Sequence, residues 1–151
     1  MDKAKINVGI VGCGQISPIY LEAPSKFDIL NIKACADIDM ERAHAQAKRY
    51  GIPKACTVDE LLADPEIDIV LNLTTPQAHI EVALAAVGAG KATYSEKPLG
   101  INREQGKALL DAGKARQRHI GCAPDTFLGG IGIKLRIAEL CNGERKSAFF
   151  S

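Results

Sequence analysis

The chain has 151 residues, 46% of them hydrophobic and 25% charged, the balance of one globular domain long enough to bury a core. Its formal net charge is +1, with 19 Lys+Arg against 18 Asp+Glu, so no cationic excess exists to match a phosphate backbone and no nucleic-acid partner is expected. No apolar run approaches the roughly 18 residues of a membrane span, and "MDKAKINVGIVGCG" shows no small-residue cleavage site, so the expected location is cytoplasmic, with no membrane partner.

Short apolar runs alternate with helical patterns nearly to residue 122. "INVGIV" (6–11) reads as a strand and runs into the glycine turn "VGCGQIS". "ILNIKACAD" (29–37) reads as the next strand. Asp39 is a plausible N-cap for "MERAHAQAKRY", with Gly51 as the stop. A brief "KAC" (54–56) adds a short strand, and "DIVLNL" (68–73) a longer one. Thr75 followed by Pro76 resembles an N-cap with proline at the first helical position, and Ile80, Ala83, Leu84 and Val87 then share a face. "KATYS" (91–95) is a further strand. Asn102 with Gln105 three residues on suggests a capping box before "GKALLDAGKA", and "HIGCA" (119–123) closes the series. Near-continuous apolar strands interleaved with helices predict an α/β fold with a doubly wound, mostly parallel sheet.

The five cysteines are odd in number and form no CxxC pair, so neither a disulfide framework nor a zinc site is expected. They read as small buried hydrophobes in a reducing compartment. His44, His79 and His119 are too scattered along the chain to suggest a metal centre.

The glycine turn carries Gly12 and Gly14, with Gln15 and Ile16 following and Ser17 where the pattern G-x-G-x-x-G has its third glycine. Such a loop needs a tight turn at the first glycine and a bare backbone at the second, so that a pyrophosphate can approach and meet backbone N–H groups. Glycine turns after strands are common, and the pattern gains meaning from Asp37, which ends the second strand. An acid about 20 residues beyond the loop accepts hydrogen bonds from the adenosine ribose of a dinucleotide. A carboxylate there suits the free 2′-hydroxyl of NAD and repels the 2′-phosphate of NADP. Arg42 has two readings: a cation turned toward such a phosphate, or a solvated residue on a helix face. NAD is the expected cofactor, with NADP as the alternative.

The loops "TTPQAH" (74–79) and "SEKPLG" (95–100) both follow strands, at the carboxyl ends where open α/β sheets bind ligands. In the second loop Glu96, Lys97 and Pro98 stand together. By position alone two readings of Lys97 stand level: an exposed turn residue, or a cation beside the nicotinamide that hydrogen-bonds a substrate hydroxyl and stabilises the alkoxide-like oxygen on the carbon that exchanges hydride. Pro98 would restrain the backbone, and Glu96 would orient Lys97 or contact a ribose.

"VGIVGCGQIS", "ACADIDMERA", "NLTTPQAHIEVALAAVGAGKATYSEKPL" and "GCAPDTFLGG", taken in order over residues 5 to 130, resemble the N-terminal half of the glucose–fructose oxidoreductase / inositol dehydrogenase (Gfo/Idh/MocA) family. The resemblance implies a Rossmann domain whose loop 12–17 takes the pyrophosphate and whose Asp37 takes the adenosine ribose. It also implies that Thr74, Thr75, Pro76 and His79 line the middle of the cofactor groove. Glu96 and Lys97 would form the E-K-P motif, with Lys97 beside the reacting carbon and Asp125 near the crossover into a second domain. Family members oxidise or reduce sugars and cyclitols with NAD or NADP, and usually associate through the sheet of the second domain, which leaves room for a homo-oligomer.

The resemblance also marks a shortfall. Family members usually run well over twice this length, and the second domain carries an Asp and a His on one helix, the His serving as acid/base. The expected organisation is a Rossmann domain at 1–123, then a crossover helix and first strand of a missing domain at 124–151. The expected function is the NAD(P)-binding portion of a sugar or polyol oxidoreductase, inactive or nearly so alone. The alternatives are a dinucleotide-binding sensor without chemistry, or an interaction subunit completed by a separate chain. The retained Lys97 favours a catalytic context over a pure sensor.

Overall fold

The structure is a computed structural model that describes residues 5–22, 24 and 26–123. Eleven elements follow in chain order: β1 (Ile6–Val11), α1 (Ser17–Leu21), β2 (Leu30–Ala36), α2 (Met40–Tyr50), β3 (Lys54–Cys56), α3 (Val58–Ala63), β4 (Ile69–Asn72), α4 (Pro76–Gly88), β5 (Ala92–Ser95), α5 (Arg103–Arg116) and β6 (Ile120–Cys122). The expected crossover helix, the strand beyond it, Asp125 and Cys141 lie outside the described residues.

The strands form one six-stranded sheet in the order β3-β2-β1-β4-β5-β6. Every neighbouring pair is parallel. The order runs outward from β1 in one direction and then, from β4, in the other. The crevice at that reversal, outside the carboxyl ends of β1 and β4, is where a doubly wound sheet receives ligands.

Local chemistry starts and stops the helices. The Asp39 side chain accepts from the N–H groups of Glu41 and Arg42 at the start of α2, and Gly51 ends it at φ 66°. Such an αL stop costs glycine little because no Cβ crowds the following carbonyl. Thr75 precedes Pro76 at the start of α4, but its side chain makes no capping hydrogen bond. At α5 the Asn102 side chain accepts from Gln105 N–H at 2.9 Å. The Gln105 side chain reaches one residue past the expected capping-box partner and accepts from Ile101 N–H at 3.1 Å.

Helix α3 has the full reciprocal box, with Thr57 and Glu60 each accepting from the other's backbone. Sequence reading passes over it although Thr57 and Glu60 carry the signature. The helix is six residues long and buries Leu61 alone, too little for an apolar period to show.

Helix α5 ends at Gln117 in the left-handed conformation, φ 54°, without a glycine. Gln117→Gly is therefore expected to raise the unfolding free energy by about 0.5–1 kcal/mol. A rightward shift of the urea midpoint at constant slope would show it, and an unchanged midpoint would mean that the strain is absorbed elsewhere.

The sheet buries both faces. On one, Val8 and Ile10 of β1 and Cys35 of β2 pack with Ala43 and Ala47 of α2. On the other, Val11, Ala34, Ala36 and Val70 meet Leu61 of α3 and Ala86 of α4, while Ala83 and Val87 of α4 pack on Leu109 of α5. Alanines at the helix contacts let the backbones approach the sheet closely. The resulting rigid sheet fixes the origins of the loops at its carboxyl ends.

Candidate functional site

Four loops at those carboxyl ends are tied to one another. Gly12 follows β1 at φ 101°, and a Cβ placed on it would lie 2.6 Å from the Leu73 carbonyl carbon and 2.9 Å from Thr74 N. Glycine is required here twice, for the conformation and for backbone contact with the loop after β4. Gly14 is different, since a Cβ there would meet no atom within 4 Å. Its bare backbone faces open space.

Among the described residues, none of the hydrogen bonds uses the N–H groups of Gly14, Gln15 or Ile16. Three successive unused donors beside an uncrowded glycine are suited to an anion. Helix α1 spans only five residues, so its dipole adds little to these donors. Ser17, at the third-glycine position, is fully buried, and its hydroxyl donates to Gly14 O at 2.7 Å, closing the turn.

Asp37, just past β2, binds the same loop. Its carboxylate accepts from Cys13 N–H at 2.7 Å and from Asp39 N–H at 2.9 Å. Each oxygen accepts one backbone N–H and keeps capacity for a further donor such as a ribose hydroxyl. Arg42 lies on the first turn of α2, where its Nε pairs with Asp39 Oδ2 at 3.1 Å. The guanidinium is thus engaged with the helix cap. Cys13 sits between the two glycines with its thiol buried, and hydrogen bonding to Cys35, then burial, pushes that thiol well above the usual range. It is no nucleophile. Cys13, Cys35, Cys56 and Cys122 are all free thiols.

The loop after β4 is organised by Asn72, which is fully buried. Its Oδ1 accepts from Thr74 Oγ1 at 2.7 Å, and its Nδ2 donates to His79 O at 2.8 Å. Its backbone carbonyl accepts from Glu96 N–H at 2.9 Å, joining the loop after β5. Thr75 and Pro76 are exposed beside it.

His79 is 1% exposed and touches the groove only through the backbone. One ring nitrogen, Nε2, lies 2.8 Å from Thr74 O and the other, Nδ1, lies 2.9 Å from Pro98 O.

In the loop after β5, Glu96 Oε2 accepts from Lys97 N–H at 3.0 Å, and its other oxygen accepts from the Tyr20 hydroxyl of α1. Burial, then the bond to Glu96, pushes the Tyr20 phenol above its usual range, so it is held as a neutral donor. Lys97 and Pro98 are exposed, and the Lys97–Pro98 peptide is cis.

The structure therefore brings Gly12, Gly14, Gln15, Ile16, Asp37, Thr74, Glu96 and Lys97 to one end of the sheet, with Thr75 and Pro76 at its margin. Sequence reading did not find Asn72 or Tyr20. A buried Asn closing the apolar run "DIVLN" was the available signal for the first, since a buried amide must find partners. Tyr20 had none.

These residues fit a dinucleotide: an uncrowded anion-binding turn, an acid placed against it, and a third loop within reach. Residues 6–123 match the family described as the oxidoreductase family, NAD-binding Rossmann fold, GFO_IDH_MocA. The chain is 35% identical over 121 residues to an uncharacterized oxidoreductase of Rhizobium meliloti, covering 76% of this chain and 35% of that protein. It is 31% identical over 98 residues to the myo-inositol 2-dehydrogenase of Thermotoga maritima, covering 64% of this chain and 29% of that protein. The crystal structure of Synechocystis biliverdin reductase, in complex with biliverdin and NADP+, superposes with a TM-score of 0.78 at 27% identity over 87% of this chain and 42% of that one. The chain thus spans about a third of the length of the curated relatives it matches. Among the described residues no helix is long and apolar enough to cross a membrane. On the matched residues and the shared fold, this chain belongs to the Gfo/Idh/MocA oxidoreductase family and is its NAD(P)-binding Rossmann domain.

Proposed function

We propose that the chain is the NAD-binding part of an oxidoreductase that transfers a hydride between the nicotinamide and a hydroxyl-bearing carbon of a sugar or polyol. The observation that carries this reading is the bonding of Asp37 to the glycine turn, which places a carboxylate and three unused N–H donors in one crevice. Gly14, Gln15 and Ile16 would hold the pyrophosphate and Asp37 the adenosine ribose. Thr74, Thr75 and Pro76 would border the groove toward Glu96 and Lys97. Asp37 favours NAD over NADP, and the Arg42 Nε is drawn to Asp39 on an exposed helix turn. The free, mostly buried thiols suit a reducing cytoplasm.

The bound nicotinamide supplies hydride transfer. Lys97 donates a hydrogen bond to the substrate oxygen and stabilises the alkoxide character it gains as the hydroxyl proton leaves, or, in the reverse direction, as hydride adds to the carbonyl carbon. Glu96 fixes the backbone that carries it. The hydroxyl proton needs an acceptor within hydrogen-bond reach. His79 is not that acceptor, because both of its nitrogens face backbone carbonyls.

The chain has no tryptophan, so binding can be followed through the nucleotide's own fluorescence. Saturable binding of NADH, tighter than that of NADPH, is the expected result. A folded sample that binds neither would overturn the assignment of the site. In an active assembly containing this chain, Lys97→Ala is expected to cut turnover by about a hundredfold or more while changing the Kd for NADH by less than about threefold. Equal losses in both would make Lys97 a cofactor ligand.

A further inference from the structure

The turn that carries Lys97 emerges from β5 with little secondary structure of its own. Its position is set by contacts from three other elements. From β4, Asn72 O receives Glu96 N–H. From α1, the Tyr20 hydroxyl holds one oxygen of Glu96, leaving the other for Lys97 N–H. From α4, the His79 ring sets Nδ1 2.9 Å from Pro98 O and Nε2 2.8 Å from Thr74 O, and a neutral ring donates to one of these carbonyls, the tautomer deciding which.

The chemistry of His79 is unusual in one respect. Both ring nitrogens lie within hydrogen-bond distance of carbonyl oxygens, on two different loops, in a side chain 1% exposed. Any buried imidazole needs partners for its nitrogens, but here the two partners lie on separate loops, after β4 and after β5. A rigid ring with polar atoms on opposite edges sets a fixed spacing between those carbonyls. The same residue is fastened through its backbone carbonyl by Asn72 Nδ2, so the ring is anchored to the end of β4.

We propose that His79 and Tyr20 are positioning residues, which clamp the Glu96–Pro98 turn from opposite neighbours and so fix Lys97 against the crevice. Neither touches the reacting atoms. His79 acts through the carbonyl of Pro98, and Tyr20 through the carboxylate of Glu96. This rests on the reading of Lys97 as the group beside the reacting carbon, but the geometry of the clamp can be tested without any reaction.

The test is amide hydrogen exchange by NMR on the 151-residue chain, for wild type, Tyr20→Phe, His79→Ala and His79→Gln, with NADH titrations alongside. The amides of Glu96 and Lys97 are the reporters, since both are bonded within the clamp. The amides of Ile10 and Cys35 report on the sheet.

Tyr20→Phe and His79→Ala are each expected to speed exchange at Glu96 and Lys97 by about tenfold or more, with sheet amides changed less than about threefold. His79→Gln keeps a donor for one carbonyl and should recover part of the protection. Equal acceleration at turn and sheet would show a merely structural role and overturn the clamp, as would unchanged exchange at the turn. Should His79→Ala fail to fold, Tyr20→Phe decides alone, because it removes only an oxygen. Failure of wild type to bind NADH would defeat the functional reading while leaving the exchange result to judge the clamp.

Discussion

Gly12→Ala is expected to lower the unfolding free energy by about 3 kcal/mol or more, the sum of a disfavoured backbone conformation and an overpacked contact. Gly12 sits at φ 101°, and the added methyl would fall 2.6 Å from the Leu73 carbonyl carbon and 2.7 Å from its oxygen. Both obstacles are backbone, so no side chain can swing aside. Gly14→Ala is the matched control. Its methyl would meet nothing within 4 Å, and stability should stay within about 0.5 kcal/mol of wild type. The same methyl would stand where a pyrophosphate must approach, so the affinity for NADH should fall by about tenfold or more. Urea denaturation and nucleotide fluorescence on the two variants separate the effects. A Gly14→Ala chain that binds NADH as tightly as wild type would remove the pyrophosphate from this turn.

Asp37→Ser should weaken NADH by about ten- to a hundredfold, the worth of one or two hydrogen bonds to a charged acceptor. NADPH should be weakened less, because losing the carboxylate also removes its repulsion of the 2′-phosphate. Part of the loss will come from the protein itself. Asp37 holds Cys13 N–H and Asp39 N–H, so the glycine turn loses a fixed acceptor. A urea curve for the same variant measures that share. Equal weakening of NADH and NADPH would mean that Asp37 serves the turn alone and does not read the ribose.

The proposed clamp bears on both experiments. The glycine turn and the Glu96–Pro98 turn are joined through α1, where Ser17 closes the first and Tyr20 reaches the second. A change that loosens either turn would therefore be felt by the other, and paired titrations with Tyr20→Phe would reveal such coupling as non-additive losses.

The sequence by itself determined the strands, the longer helices and the chemistry available at their ends. Apolar runs located all six strands, with the bounds of β1 and β3 matching at Ile6–Val11 and Lys54–Cys56 and the others shifting by a residue or so. Asp39, Gly51 and Asn102 announced helix ends because capping is settled within a few residues of chain. A glycine turn followed by an acid was legible for the same reason.

Only the tertiary structure decided which distant groups meet. Tyr20 and Glu96 are 76 positions apart, and nothing near either residue names the other. Asn72 could be read as a polar residue in an apolar run, but not as the junction of the loops after β4 and β5 with α4. His79 could be placed on the helix after Thr75, lining the groove by resemblance, yet it is buried and its two carbonyl partners belong to separate crossovers. Arg42 reads from sequence as either a phosphate partner or a solvated helix residue, and its Nε pairing with Asp39 appears only in the structure. Local patterns constrain a residue's own dihedrals and the face it presents. Partners across the sheet follow from strand order, and strand order is set by how the whole chain buries its two faces.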